Sequence, residues 1–139
     1  MPATTHRLRD QTSAVSSYRV TFAAEPRSVG AARAAVTQRC LQWGLGSLCE
    51  DAQLIVSELM CNAVRHAGTD IDLTIQELEH GVRLEVSDGS TDQVQPRTAT
   101  FLEEGGRGLQ LVNALASDHG VRLRPGGKTV WAELDTPAA

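Results

Sequence analysis

Cysteine is scarce in this chain, and what there is does not pair. Cys40, Cys49 and Cys61 are the three of 139 residues, with no CxxC spacing. An odd count without that spacing argues against a disulfide framework and against a zinc site. All three fall in helical patterns and read as small core residues. Long apolar runs are also missing. No stretch reaches the length of a membrane span, and residues 1–12 have no signal-peptide core, so a cytosolic protein is expected. A basic excess is absent too. The net charge of -4 argues against unspecific nucleic-acid binding. Repeats and a second domain are not evident. One domain fits the length, and a domain near this size buries roughly two thirds of its unfolded surface, enough for a core without staples.

Along the chain, residues 1–16 are rich in Thr, Ser, Ala and Arg and read as a flexible tail. Tyr18, Val20 and Phe22 alternate with polar neighbours, which predicts a strand. Ser28 is suited to cap a helix running to about Gly44, with Val29, Ala32, Val36, Cys40 and Trp43 as its apolar stripe. Ser47 can cap a second helix from about Leu48 to Ala67, closed by Gly68. Ile71, Leu73 and Ile75, then Val82, Leu84 and Val86, alternate about a turn at Glu79-His80-Gly81, a hairpin pattern. Residues 87–104 have no clear period, and a connection of that length is often functional. Gly105-Gly106-Arg107-Gly108 opens a third helix with Leu109, Val112, Leu115 and Ala116 on one face. Val121 and Leu123 form a short strand. After Pro125-Gly126-Gly127, the last strand carries Val130, Ala132 and Leu134. This order predicts an α+β two-layer sandwich: a mixed, mainly antiparallel sheet with helices on one face. The domain is expected over residues 17–135, and residues 136–139 form a short C-terminal tail.

The second helix carries the main anomaly. Leu48, Ala52, Ile55 and Leu59 make a core-facing stripe, yet Asn62 and His66 point almost the same way as Ile55, and Glu58 sits on its rim. Buried polar groups need partners. The glycine turn before the third helix offers free N–H groups and a helix dipole suited to an anion, although a tight turn alone also explains it. Two phosphate motifs are excluded. Gly127-Lys128-Thr129 lacks the earlier P-loop glycine, since that position is Arg122, and a strand follows it. The dinucleotide fingerprint fails on glycine spacing. Asp88, at a strand end, is a turn residue or an acceptor for an exocyclic amine.

In sequence order these stretches resemble the Bergerat-fold (GHKL) ATP-binding domains, from about Tyr18 to Leu134. Glu58-Leu59-Met60-Cys61-Asn62-Ala63-Val64-Arg65-His66-Ala67 resembles the N box. Asp88 resembles the adenine-binding aspartate, Gly106-Arg107-Gly108-Leu109 the phosphate-cradling glycines, and Thr129 the last-strand hydroxyl that supports the aspartate. Within that superfamily the chain is most similar to the small anti-sigma-factor serine kinases of actinobacterial type, since it has neither a phospho-accepting dimerisation helix nor a gyrase-type transducer.

The resemblance implies ATP and Mg²⁺ as cofactors. It implies that Glu58 is the catalytic base and Asn62 the metal-contacting amide. It places His66, Asp88, Ser90, Gly106, Arg107, Gly108, Leu109 and Thr129 around the nucleotide. It implies a sigma factor and a STAS-domain anti-anti-sigma protein as partners, and a homodimer. Arg33 and Arg39 on the first helix are candidate sigma contacts or plain solvated charges. Ser90 and Asp92 stand where the family often has glycine, and residues 91–104 are short for an ATP lid. The alternative is therefore a nucleotide-binding interaction module without kinase activity.

Overall fold

The computed structural model describes residues 15–66, 68–89 and 108–137, with the side chains of 108–110 left aside. Its elements are β1 (Ser16–Phe22), α1 (Arg27–Gln42), a 3₁₀ turn (Gly46–Leu48), α2 (Cys49–His66), β2 (Ile71–Leu78), β3 (Gly81–Asp88), α3 (Gly108–Leu115), β4 (Asp118–Arg124) and β5 (Gly127–Asp135). The strands form one sheet in the order β1-β2-β3-β5-β4. The expected mixed sheet is corrected: every pairing among the described residues is antiparallel. Each neighbour in the sheet is reached by a hairpin or by a strand that returns over the helices, so no parallel crossover is needed.

Strand alternation builds the core. Ile71, Leu73 and Ile75 of β2, Val82, Leu84 and Val86 of β3, and Ala132 and Leu134 of β5 all turn to one face and are buried. The helices cover that face. Ala32, Val36 and Cys40 of α1 and Ala52, Ile55, Val56, Leu59, Met60 and Ala63 of α2 recur at helical spacing and pack into the same cluster. Burying each such Ile, Leu or Val stabilises the fold by about 1.5–3 kcal/mol before the chain's entropy is counted.

Glycine is required at two tight approaches. A Cβ at Gly81 would run into the carbonyl oxygen of Leu134, and one at Gly127 into that of Asp88. The β4–β5 turn is Pro125-Gly126, with Gly126 in the left-handed region at φ 84°.

Several local expectations change. The first helix begins one residue before Ser28, because Pro26 already has helical dihedrals and starts the turn. Ser28 is therefore not the cap; its hydroxyl donates back to the Ala23 carbonyl at 2.7 Å. Ser47 lies inside the 3₁₀ turn, and no side chain caps it. The strand at Val121 and Leu123 is longer, seven residues from Asp118 to Arg124. Cys40 is buried and Cys49 half-buried, but Cys61 is exposed. Six positions beyond Ile55 is about 240° around a helix, which turns Cys61 outward. Burial also pushes the Cys40 thiol up to about 11, so it behaves as a small hydrophobe.

Candidate functional site

One end of the sheet gathers several of the residues singled out by the sequence. Gly68 ends α2 in the left-handed conformation, at φ 69°. Only two residues then separate it from Ile71, the start of β2. Ile71 stands directly opposite Asp88, the last residue of β3. The hydroxyl of Thr69 accepts a hydrogen bond from the Gly89 N–H at 3.0 Å and ties the two segments together. The C-terminal half of α2 therefore sits at the Asp88 end of the sheet. The helix also packs against α3, which begins at Gly108.

Glu58 and Asn62 are half-buried on successive turns of α2, below the fully buried Ile55 and above the end of the helix. His66 is half-buried in the last turn. The three polar groups thus line the margin of the core rather than its centre. Both Glu58 and Asn62 offer oxygen donors one turn apart, the kind a small divalent cation takes alongside phosphate and water. Among the described residues no group of three His, Cys, Asp or Glu side chains is placed to hold a metal by itself. Gly108 is the first residue of α3 and Leu109 the second, so both stand at a helix N-terminus. Ser90, Gly106, Arg107 and the segment 91–104 lie outside the described residues.

Asp88 is neither a simple turn residue nor an open acceptor. The β3–β5 register sets it opposite Lys128, and both side chains turn to the helix face. The Lys128 ammonium donates to both carboxylate oxygens, at 2.9 and 3.2 Å. The two side chains are 3% and 2% exposed. A charge removed from water needs such a partner, since burying it alone is strongly unfavourable.

The same register corrects the place of Thr129. It pairs with Ser87, one residue from Asp88, and alternation turns it to the opposite face. Its hydroxyl is 2.7 Å from the Ser87 hydroxyl and does not support Asp88. Lys128 is the functional candidate that sequence reasoning missed. A signal existed: 128 shares parity with Val130, Ala132 and Leu134, the inward residues of that strand. It is also the only lysine in the chain, since every other one of the 13 basic residues is arginine.

A second buried charge cluster occupies the sheet's other face. Arg83 donates to Glu85 at 2.6 Å and to Glu133 at 2.7 Å. Its guanidinium lies 4.2 Å from the Trp131 ring centroid. Neither α1 nor α2 reaches this face, so the cluster is apart from the Asp88 end. Arg39 is likewise engaged within the molecule, 4.3 Å over the Tyr18 ring.

The model of the histidine kinase-like ATPase domain family matches residues 22–134, most of the chain, from the last residue of β1 to the penultimate residue of β5. The chain belongs to that family. Membership makes this a GHKL-type ATP-binding domain, and the α+β sandwich with an antiparallel sheet is the fold the family uses. A search of curated proteins gives no match. Among the described residues no helix is long and apolar enough to cross a membrane. In this ATPase-family domain the end of the sheet that holds Asp88, together with the α2 margin, is the candidate nucleotide site.

Proposed function

We propose that this GHKL domain is an ATP-dependent protein serine/threonine kinase that also acts as an anti-sigma factor. It phosphorylates a STAS-domain anti-anti-sigma protein and, in the alternate state, sequesters a sigma factor, working as a homodimer. The observation that carries the reading is the stacking of Glu58 and Asn62 on successive turns of α2, half-buried, at the Asp88 end of the sheet. The match to the family supports the nucleotide; the resemblance of the N box supports the partners.

Each residue has a role in this reading. Asp88 accepts from the exocyclic amine of adenine. In this reading Gly106, Arg107, Gly108 and Leu109 supply backbone N–H groups to the phosphates, and Ser90 adds to the nucleotide contacts. Asn62 presents its amide oxygen to the cation, and His66 borders the nucleotide. Bound Mg²⁺ supplies charge neutralisation on the phosphate oxygens. Glu58 takes the proton of the attacking serine hydroxyl. The serine oxygen forms a bond to the γ-phosphorus as the bond to ADP breaks. Little covalent chemistry is left to the protein beyond positioning and charge placement, so a short set of residues suffices.

The test is phosphoryl transfer from labelled ATP to the STAS-domain substrate recovered by pull-down. Glu58→Gln is expected to lower the transfer rate by about 10²–10⁴-fold while nucleotide still binds, the range for removing a general base. Transfer at the wild-type rate by that variant would sink the kinase assignment. A second reading is favoured by the near-complete burial of Asp88 on Lys128. There the domain binds nucleotide weakly and serves as an interaction module. Nucleotide binding without any transfer, unchanged by Glu58→Gln, is the outcome that supports it.

A further inference from the structure

We infer that Lys128 is an internal competitor for the base-recognition carboxylate and sets the affinity of this site for amine-bearing purines. The inference rests on the nucleotide reading above, in which Asp88 takes the base. Three observations support it. The β3–β5 register fixes Lys128 directly across from Asp88, so the contact is built into the sheet. The ammonium engages both carboxylate oxygens, at 2.9 and 3.2 Å. The carboxylate keeps 2% of its side-chain surface in this arrangement.

A base amine reaches such a carboxylate only by displacing or sharing the ammonium. The exchange is uneven. An exocyclic amine is a neutral donor, whereas an ammonium makes charge-assisted hydrogen bonds that are roughly twice as strong. Lysine is also the basic residue suited to leaving. Its charge sits on a flexible four-carbon stem and is strongly hydrated once released, unlike a planar guanidinium locked to its partners. The chain uses arginine at every other basic position. The site thus has a closed form, with Lys128 on Asp88, and an open form that accepts the base. The apparent affinity falls by the fraction of molecules in the open form.

The experiment is a calorimetric titration of the full chain with ATP-Mg²⁺ and with purine riboside triphosphate, which lacks the 6-amino group. Lys128→Gln removes the charge but keeps one amide donor, so Asp88 is not left bare. ATP is expected to bind Lys128→Gln at least about tenfold more tightly, with purine riboside triphosphate unchanged, which corresponds to an open fraction near one in ten. Equal or weaker ATP binding overturns the proposal, and so does equal tightening of both nucleotides.

A second measurement needs no variant. Lysine-selective ¹⁵N labelling of the wild-type chain gives one side-chain ammonium resonance, because there is one lysine. Saturating ATP is expected to move or broaden it as the ammonium enters water. An unchanged resonance at saturation overturns competition even if Lys128→Gln fails to fold. Absence of nucleotide binding in both proteins overturns the underlying nucleotide reading instead, and with it the competition.

Discussion

Among the described residues two clusters of ion pairs are buried in the sheet, on opposite faces, and they are built differently. On the outer face Arg83 holds Glu85 and Glu133 at once, at 2.6 and 2.7 Å, with Trp131 against its guanidinium. On the helix face the Lys128 ammonium donates to both oxygens of the Asp88 carboxylate, at 3.2 and 2.9 Å. The first is a planar cation fixed from several sides. The second is a point charge on a flexible stem at the end of the sheet, beside Gly89 and the α2 C-terminus. A fork that matches two carboxylates and stacks on a ring has one good geometry, whereas an ammonium has many. The outer pair therefore suits a fixed structural joint. The inner pair suits a contact that opens.

The largest effect expected from this contrast is at Arg83. Arg83→Met leaves two carboxylates against a sheet without their cation, and removing one partner of a buried pair typically lowers stability by about 3–5 kcal/mol. Urea unfolding followed by tryptophan emission measures it. A loss below about 1 kcal/mol would mean the outer cluster is not the joint that its geometry describes.

A finer comparison keeps the charge. Arg83→Lys retains a cation but cannot span Glu85 and Glu133 together or stack flat on Trp131. A loss of about 1.5–3 kcal/mol is expected, the range for hydrogen bonds to charged groups. If lysine serves equally well at 83, the planar fork is irrelevant and the contrast with Lys128 collapses.

The smallest effect belongs to an exposed pair, which sets the baseline for both buried ones. Asp72 accepts from the Thr21 hydroxyl at 2.6 Å and from Arg19 at 2.9 Å. These hydrogen bonds, Thr21 first and Arg19 next, hold its carboxyl below the usual carboxylate range. A group depressed in the folded state contributes stability above its unfolded value and loses it as the pH falls through the folded one. Asp72→Asn should change stability at neutral pH by less than about 1 kcal/mol. It should also flatten the decline of stability below about pH 3.8, a difference readable from unfolding curves at pH 3 and pH 6.

Much of this was legible in the sequence, and the gaps have physical causes. Period-two runs such as Ile71, Leu73, Ile75 and Val82, Leu84, Val86 named the buried face of the hairpin because each residue type there answers only to local alternation. The stripe through Ala52, Ile55 and Leu59 did the same for α2. What could not be read locally was register. Whether Lys128 or Thr129 stands across from Asp88 depends on how two strands 40 residues apart align, and one step changes the face. The Arg83–Glu133 pair is separated by 50 residues and has no local signature. Cys61 is exposed for a simpler reason: its angle on the helix, and not its residue type, decides which way it points. The half-buried Glu58 and Asn62 stood out because they broke an otherwise apolar rule, which is how a functional margin shows itself in a sequence.

The position of β5 has a consequence for how the molecule is made. It is the last described strand in the chain, yet it lies between β3 and β4 in the sheet. As the chain emerges during synthesis, β1, β2 and β3 can pair in order, but β3 keeps a bare edge and β4 has no partner until β5 arrives. The final insertion closes that edge, satisfies Asp88 with Lys128 and seats Glu133 on Arg83 in one event. A nascent chain stalled before residue 127 would therefore expose a strand edge ready to pair with another molecule, and the arrival of β5 doubles as the step that makes this domain safe from aggregation.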